Sequence, residues 1–381
     1  MTSGRLEGRR VVLVVAWAGL GGAERNALQV ARHFAQAEGA RVDVLAFTEE
    51  SGAFRSAVEA ARIPWHPHSL DWPALGKSGK VASLARLAWM LRRLRPDVLM
   101  PYCTRPNVLC GLVWETTGAR ICIWNQRDLL PSSRFRPSLI ARAARRTPLL
   151  IANSRAAADH LVRVVGVPSE RVRVIYDSVD IEAPQEDRAS WRIQLGLSED
   201  VFVTTMLAHL HRHKDHETML RAWRRVLDGL GAGADAVLLL AGRSAGTEDA
   251  AKALAYDLEL GRSVRFLGDV GDIGGLLSAT DLGVLSSQSE SYPNALLECM
   301  AAGLPVVGTD IAGIREVVGE HQFRYLASSG DSAGLASAIM SLYADEELRR
   351  SLGEENRLRV LDGQTVPAAQ AIADLVVDAL R

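Results

Sequence analysis

The chain of 381 residues has no hydrophobic run that approaches the roughly 20 apolar residues needed to span a bilayer. Its opening, Met1 to Arg10, is polar, and no secretory signal is read there. Cysteine is scarce. Cys103, Cys110, Cys122 and Cys299 fall in apolar segments without Cys-x-x-Cys spacing, which argues against a disulfide framework or a thiolate metal site and for buried thiols in a reducing compartment. A cytoplasmic location is expected. No Gly-Lys-Ser/Thr follows the one glycine-rich turn, so a Walker loop is excluded. The full G-x-G-x-x-G, with an acidic residue near the end of the second strand, that a dinucleotide oxidoreductase needs is also not well formed.

What is present describes a globular chain. Hydrophobic residues make up 48% and charged residues 23%, ordinary values for a packed protein, and the length suits two domains, each with its own core. The net charge of −1 conceals a division. Residues 1–180 hold 26 Lys and Arg against 15 Asp and Glu, whereas residues 181–381 hold 18 against 30. Either the halves complement each other, or the basic half meets an anionic partner.

Short apolar runs alternate with helical patterns along the first half. Strands are expected at Val11 to Val15, Val42 to Ala46, Val98 to Met100, Ile121 to Trp124, Leu149 to Ala152 and Val172 to Ile175. Helices are expected at about 53–61, 79–94, 106–116, 137–146 and 154–164. Such alternation reads as an α/β protein with parallel sheets covered on both faces and ligands at the carboxyl ends of the strands. After the first strand, Gly19, Gly21 and Gly22 open a helix whose N-terminus favours phosphate. The second half begins with a strand from Phe202 to Leu207, after a linker over 180–190.

The most informative stretch is Leu285 to Val318. Ser291 and Pro293 suit a helix start and Gly303 its stop, and the apolar residues between them place the helix against a sheet. Glu298 is a lone carboxylate in that company, with Glu290 eight residues earlier, just ahead of the helix. Eight helical residues span about 12 Å. That exceeds the roughly 5 to 9.5 Å between the carboxyls of a glycoside hydrolase. It suits two acceptors gripping the ends of an elongated ligand with an anionic middle, as in a nucleotide sugar.

The segment S-E-S-Y-P-N-A-L-L-E-C-M-A-A-G-L-P-V-V resembles the Glu-x7-Glu signature of the retaining family 4 glycosyltransferases, and G-G-A-E-R at Gly21 to Arg25 is similar to the same family's glycine loop. The resemblance implies a GT-B fold: two Rossmann-like domains facing each other across a cleft, with a terminal helix from about 364 to 381 returning to the first domain. Domain boundaries are expected at 1–180 and 181–363. It also implies that Glu290 lies by the donor sugar and Glu298 on the ribose, with Tyr292, Pro293, Asn294, Ala295 and Leu296 between them. Gly21 and Gly22 would face the diphosphate, and Phe266, Leu267 and Gly268 the base. The family's phosphate-binding Lys falls on Lys214, but His209 stands where it carries Arg, so either Arg212 or His209 supplies the second contact. Arg243 is a further candidate for phosphate.

On the acceptor side, Asn125, Arg127 and Asp128 follow the fourth strand where relatives often show His. Arg127 and Asp128 could instead form a structural ion pair. Asp177 and Ser178 replace the family's Asn-Gly. From Leu129 to Ala158 there is no acid, while Arg134, Arg136, Arg142, Arg145, Arg146 and Arg155 are present, which suits an anionic or lipid-linked sugar acceptor, or a peripheral membrane contact. The expected reaction is retaining transfer of a hexose-type sugar from a nucleoside diphosphate donor with uridine as the base. No Asp-x-Asp occurs, so no metal is implied, nor any cofactor beyond the nucleotide sugar; no nucleic-acid partner is implied. The alternative is a member of the same architecture that binds nucleotide sugar but epimerises it or transfers nothing. The histidines at 209, 211, 213 and 216 alternate along the loop and so point different ways, which disfavours a metal site.

Overall fold

The computed structural model describes residues 4–70, 72, 75–129, 135–179, 183–231, 235–363 and 366–381. The chain forms two compact units, Met1–Ser178 with Val366–Arg381, and Val179–Thr365.

The first unit runs β1 (Arg10–Val15), α1 (Gly22–Gln36), β2 (Arg41–Ala46), α2 (Ala53–Ala60), β3 (Trp65–Pro67), α3 (Lys77–Leu94), β4 (Val98–Pro101), α4 (Thr104–Val113), β5 (Ile121–Gln126), α5 (Pro137–Arg146), β6 (Leu149–Ala152), α6 (Arg155–Asp159) and β7 (Val172–Val174). The strands form one parallel sheet in the order β3-β2-β1-β4-β5-β6-β7. Strand side chains alternate between faces, and both faces are buried, so β1 is apolar from Val11 to Val15. Val11, Leu13 and Val15 enter one core with Phe34 of α1, whereas Val12 and Val14 enter another with Leu87 and Leu91 of α3 and Leu109 of α4. Each such buried side chain contributes on the order of 1.5–3 kcal/mol. The C-terminal helix α15 (Ala368–Leu380) joins the first of these cores through Ile372, Ala373 and Val376.

The second unit runs α7 (Arg188–Gln194), β8 (Phe202–Leu207), α8 (His216–Leu230), β9 (Ala236–Ala241), α9 (Glu248–Asp257), β10 (Val264–Gly268), α10 (Ile273–Ser278), β11 (Leu282–Leu285), α11 (Asn294–Ala301), β12 (Val306–Thr309), α12 (Ala312–Val318), β13 (Leu326–Ala327), α13 (Ser332–Tyr343) and α14 (Glu346–Gly363). Its parallel sheet has the order β10-β9-β8-β11-β12-β13. Both sheets therefore reverse direction beside their first strand, between β1 and β4 and between β8 and β11. In doubly wound folds the ligand crevice lies at this switch point.

Several expected boundaries shift for physical reasons. Strand β5 continues through Gln126, because Asn125 and Gln126 are fully buried and pair with Ile151 and Ala152 of β6. Helix α4 starts at Thr104 rather than at 106, since Pro106 is tolerated in a first turn, and Trp114–Thr116 is a separate 3-10 turn. The 154–164 helix is α6 followed by a π turn over His160–Val165. Pro293 and Pro367 occupy cap positions ahead of α11 and α15, and Ser291 lies before the cap. The expected linker is interrupted at Asp187, whose carboxylate caps α7 by accepting from Ser190 N at 2.8 Å. Residues 180–182 lie outside the described residues. Among the described residues no helix is long and apolar enough to cross a membrane.

Candidate functional site

The switch point of the second unit is built by the loops that follow β8 and β11. These strands are direct neighbours, with Leu282 opposite Thr204 and Gly283 opposite Thr205. The first loop delivers Lys214 and the second Glu290, and the Lys214 Nζ lies 2.5 Å from Glu290 Oε1. Ser287 Oγ donates to the same oxygen at 2.6 Å. Both charged side chains are largely withdrawn from water, at 27% and 11% exposure, so their attraction is screened less than that of a surface pair.

Local bonding fixes both loops. Gln288 N donates to His213 O at 2.8 Å, and Ser286 Oγ lies within hydrogen-bond range of the Lys214 and Asp215 carbonyls at 3.0 and 2.9 Å. Asp215 turns the chain at φ +51° and caps α8, its carboxylate accepting from Thr218 N and Oγ1. Thr309 Oγ1 donates to Ser287 O at 2.5 Å. Gly313 lets the start of α12 approach Glu290 closely: a Cβ there would sit 2.3 Å from Glu290 O.

The neighbouring strand ends carry other donor-side candidates. Leu210 N donates to Arg243 O at 2.9 Å and Gly242 N to Gly268 O at 2.7 Å, which brings the loops holding His209, Arg243 and Phe266 to Gly268 together. A Cβ on Gly242 would lie 2.0 Å from Ala208 O, so this approach requires glycine. The expected turn at Phe266 to Gly268 is the bulged end of β10, with Gly268 at φ +68°. Tyr292 and Pro293 lead into α11. Asn294, Ala295 and Leu296 form its first turn, and Glu298 is half-buried one turn on. Leu296 is 1% exposed, so its side chain belongs to the core and only its backbone can serve a ligand. Arg212 is exposed at the start of the 3-10 turn Arg212–Lys214.

Two histidines of this region, His211 and His216, are pushed toward the neutral form. Burial pushes His216 down to about 4, helped by the Lys214 charge. His211 is lowered by burial and by His213, Lys214 and Arg212. Among the described residues no three metal-ligating side chains cluster.

In the first unit, Gly21 caps α1 and Gly22 opens it beyond the β1 end. The acceptor-side expectations need correction. Arg127 does not pair with Asp128; it pairs with Asp177, with the two side chains 1% and 3% exposed. Asn26 Nδ2 and Asn153 Nδ2 also donate to Asp177, at 3.0 and 3.2 Å, so the charge is closed inside a hydrogen-bonded cluster. Asn125 is fully buried and its Nδ2 donates to Pro101 O and Ile123 O, so it braces strand ends. Only Asp128 of the three is partly exposed. Its Oδ2 accepts from Thr104 Oγ1 at 2.8 Å and its Oδ1 from Gln126 Nε2 at 2.8 Å, while burial raises its carboxyl above the usual range.

The row of arginines on α5 is also less uniform than its sequence. Arg146 pairs with Glu115, and Arg145 Nε donates to Ala141 O at 3.2 Å; Arg136, Arg142 and Arg145 remain exposed. Arg134 lies outside the described residues. Sequence reading missed Thr104 and Asp177 as site-building residues, and gave no separate role to Ser287, three positions before Glu290.

The family model of the "Glycosyl transferases group 1" matches residues 187–359, and that of "Glycosyltransferase Family 4" matches residues 20–183. The D-inositol 3-phosphate glycosyltransferase of Corynebacterium jeikeium is 30% identical over 320 residues, covering 82% of this chain and 69% of that one. The N-acetyl-alpha-D-glucosaminyl L-malate synthase of Bacillus anthracis is 27% identical over 290 residues, 74% of each chain. In fold, the chain is similar to Anabaena Alr3699/HepE in complex with UDP-glucose, with a TM-score of 0.82, 22% identity, and 97% and 99% of the two chains covered. The fold is thus GT-B, and the chain belongs to the family 4 glycosyltransferases; it is a glycosyltransferase.

Proposed function

We propose that the chain transfers a hexose-type sugar from a UDP-linked donor to an anionic hydroxyl acceptor, with retention at the anomeric carbon and without a metal. The observation that carries this reading is the meeting of Lys214 and Glu290 at the β8–β11 switch point. Lys214 meets the diphosphate, and Arg212 or His209 adds a contact from the same loop. Glu290 accepts hydroxyls of the sugar and Glu298 those of the ribose. The bond from the anomeric carbon to the phosphate oxygen breaks, and the nucleoside diphosphate leaves with the electron pair. The acceptor oxygen bonds to the same face of that carbon, and its proton passes to the departing phosphate. Preorganised charge from Lys214 and the helix N-termini stabilises the leaving group.

UDP as donor nucleotide is supported by the nucleotide in the Alr3699/HepE complex. An anionic acceptor is supported by the surplus of cations in residues 1–180 and by the malate and inositol phosphate in the relatives' names. A lipid-linked sugar satisfies the same charge requirement. The test is UDP release from UDP-sugars with L-malate, inositol phosphate and lipid-linked sugars, with the product's anomeric configuration read by NMR. Acceptor-dependent UDP release with an α-linked product from an α-linked donor, in the presence of EDTA, is expected. Inversion, or release restored only by a divalent ion, overturns the corresponding part.

A further inference from the structure

We propose that the outward face of α3 is a docking surface for an anionic lipid membrane. Helix α3 contains Lys77, Lys80, Arg86, Arg92 and Arg93 and no acid. Leu87 and Leu91 are fully buried and fix the inward face. Three- and four-residue steps from Ser78 through Ala82 and Ala85 to Trp89, Arg92 and Arg93 define the opposite, exposed face. Toward its C-terminal end Trp89 is 56% exposed, and Val81, one turn before Ala85, is 69% exposed. An indole left in water on a helix with a well-packed inner face has no role in the core. The Arg93 guanidinium lies 4.7 Å from its ring centroid.

The surrounding charge selects the occupant. Residues 77–158 hold fifteen Lys and Arg against three acids. Of those acids, Glu115 is paired with Arg146, Asp97 with Arg9, and the Asp128 carboxylate is turned to Thr104 and Gln126. No ion pair is found for Lys77, Arg86 or Arg93 among the described residues. Helices α3, α4 and α5 cover one face of the sheet through a shared core, so exposed Arg142 and Arg145 of α5, and Arg136 at its N-cap, belong to the same layer. A Trp and a Val ringed by cations match the headgroup level of an anionic bilayer: the cations meet lipid phosphate and the apolar groups enter the acyl boundary. A purely electrostatic partner such as a nucleic acid would leave Val81 unsatisfied. This surface is independent of the donor reading and would stand if that reading failed.

The experiment is co-sedimentation of the full chain with phosphatidylcholine vesicles containing about 30% phosphatidylglycerol. Three variants are compared: Trp89→Ser, the combined Lys77→Gln, Arg86→Gln, Arg93→Gln, and the combined Arg136→Gln, Arg142→Gln, Arg145→Gln. Wild type is expected to bind at low salt, to be released at about 0.5 M salt, and to ignore pure phosphatidylcholine. Removing three cations is expected to weaken binding by on the order of a hundredfold, and Trp89→Ser by a smaller factor, with thermal melting and UDP binding unchanged. No binding by wild type overturns the proposal. So does binding that both α3 variants retain while Arg136→Gln, Arg142→Gln, Arg145→Gln loses it. Equal loss of heparin and vesicle binding in the cation variant, with Trp89→Ser without effect on either, assigns the face to a polyanion and also overturns it.

Discussion

Lys214 Nζ sits 2.5 Å from Glu290 Oε1, a pair 76 residues apart in sequence that joins the loops after two neighbouring strands. The pair stores a cation and a carboxylate at the point where the sheet order reverses. A diphosphate and a sugar need these two partners side by side.

The two glutamates should separate in kinetics. Glu290→Gln is expected to lower kcat with a small change in UDP affinity, because its carboxylate lies at the Lys214 end of the site. Glu298→Gln is expected to weaken UDP by on the order of 1–2 kcal/mol through lost ribose bonds. Titration calorimetry and steady-state rates check both, and equal UDP affinity in Glu298→Gln and wild type removes the ribose assignment.

Gly313→Ala tests the brace behind Glu290. Its Cβ would fall 2.3 Å from the Glu290 carbonyl, backbone against backbone, so the loop must shift. A drop in kcat together with a loss of about 1–3 kcal/mol of stability is expected, measured by rates and urea unfolding. Unchanged turnover would show that Glu290 is positioned otherwise.

The Asp177 cluster should behave as a buried ion pair. Asp177→Ala leaves the Arg127 guanidinium unpaired at 1% exposure and is expected to cost about 3–5 kcal/mol. Arg127→Met combined with Asp177→Leu should cost clearly less. Urea midpoints of the single and double variants decide this, and equal losses would contradict it.

His216 makes stability depend on pH. Its folded pKa of about 4 lies below the unfolded value of roughly 6.5, so the unfolded chain binds the extra proton between these values. The contribution is full above about 6.5 and is lost as pH falls toward 4, on the order of 3 kcal/mol at most. His216→Gln should flatten the difference between urea midpoints at pH 5 and pH 7.5. An identical pH slope in the variant would contradict the assignment.

Much of the fold was legible because buried parallel strands write themselves as apolar runs: Leu149–Ala152 and α5 at Pro137–Arg146 fall where the pattern puts them. Glu290 and Glu298 stood out as carboxylates around an apolar helix. Less legible was anything set by partners distant in the chain. Arg127 and Asp177 are fifty residues apart, and no local pattern distinguishes a buried Arg–Asp pair from a contact with a ligand. Asn125 was misplaced for a related reason: a polar residue at the end of β5 reads as loop, yet it is fully buried with its amide turned to the Pro101 and Ile123 carbonyls. Trp89 was equally silent, since an indole at helical spacing reads as core until the packing shows which face is outward.

The most direct measurement is calorimetric titration of UDP into wild type, Lys214→Ala, Arg212→Ala and His209→Ala. Wild type should bind at one site, and Lys214→Ala should lose about 2 kcal/mol or more, as expected for a desolvated charge contact. Arg212→Ala, at an exposed position, should lose less, about 1 kcal/mol. A wild type that binds no UDP, or a Lys214→Ala variant that binds it as tightly as wild type, would contradict the account.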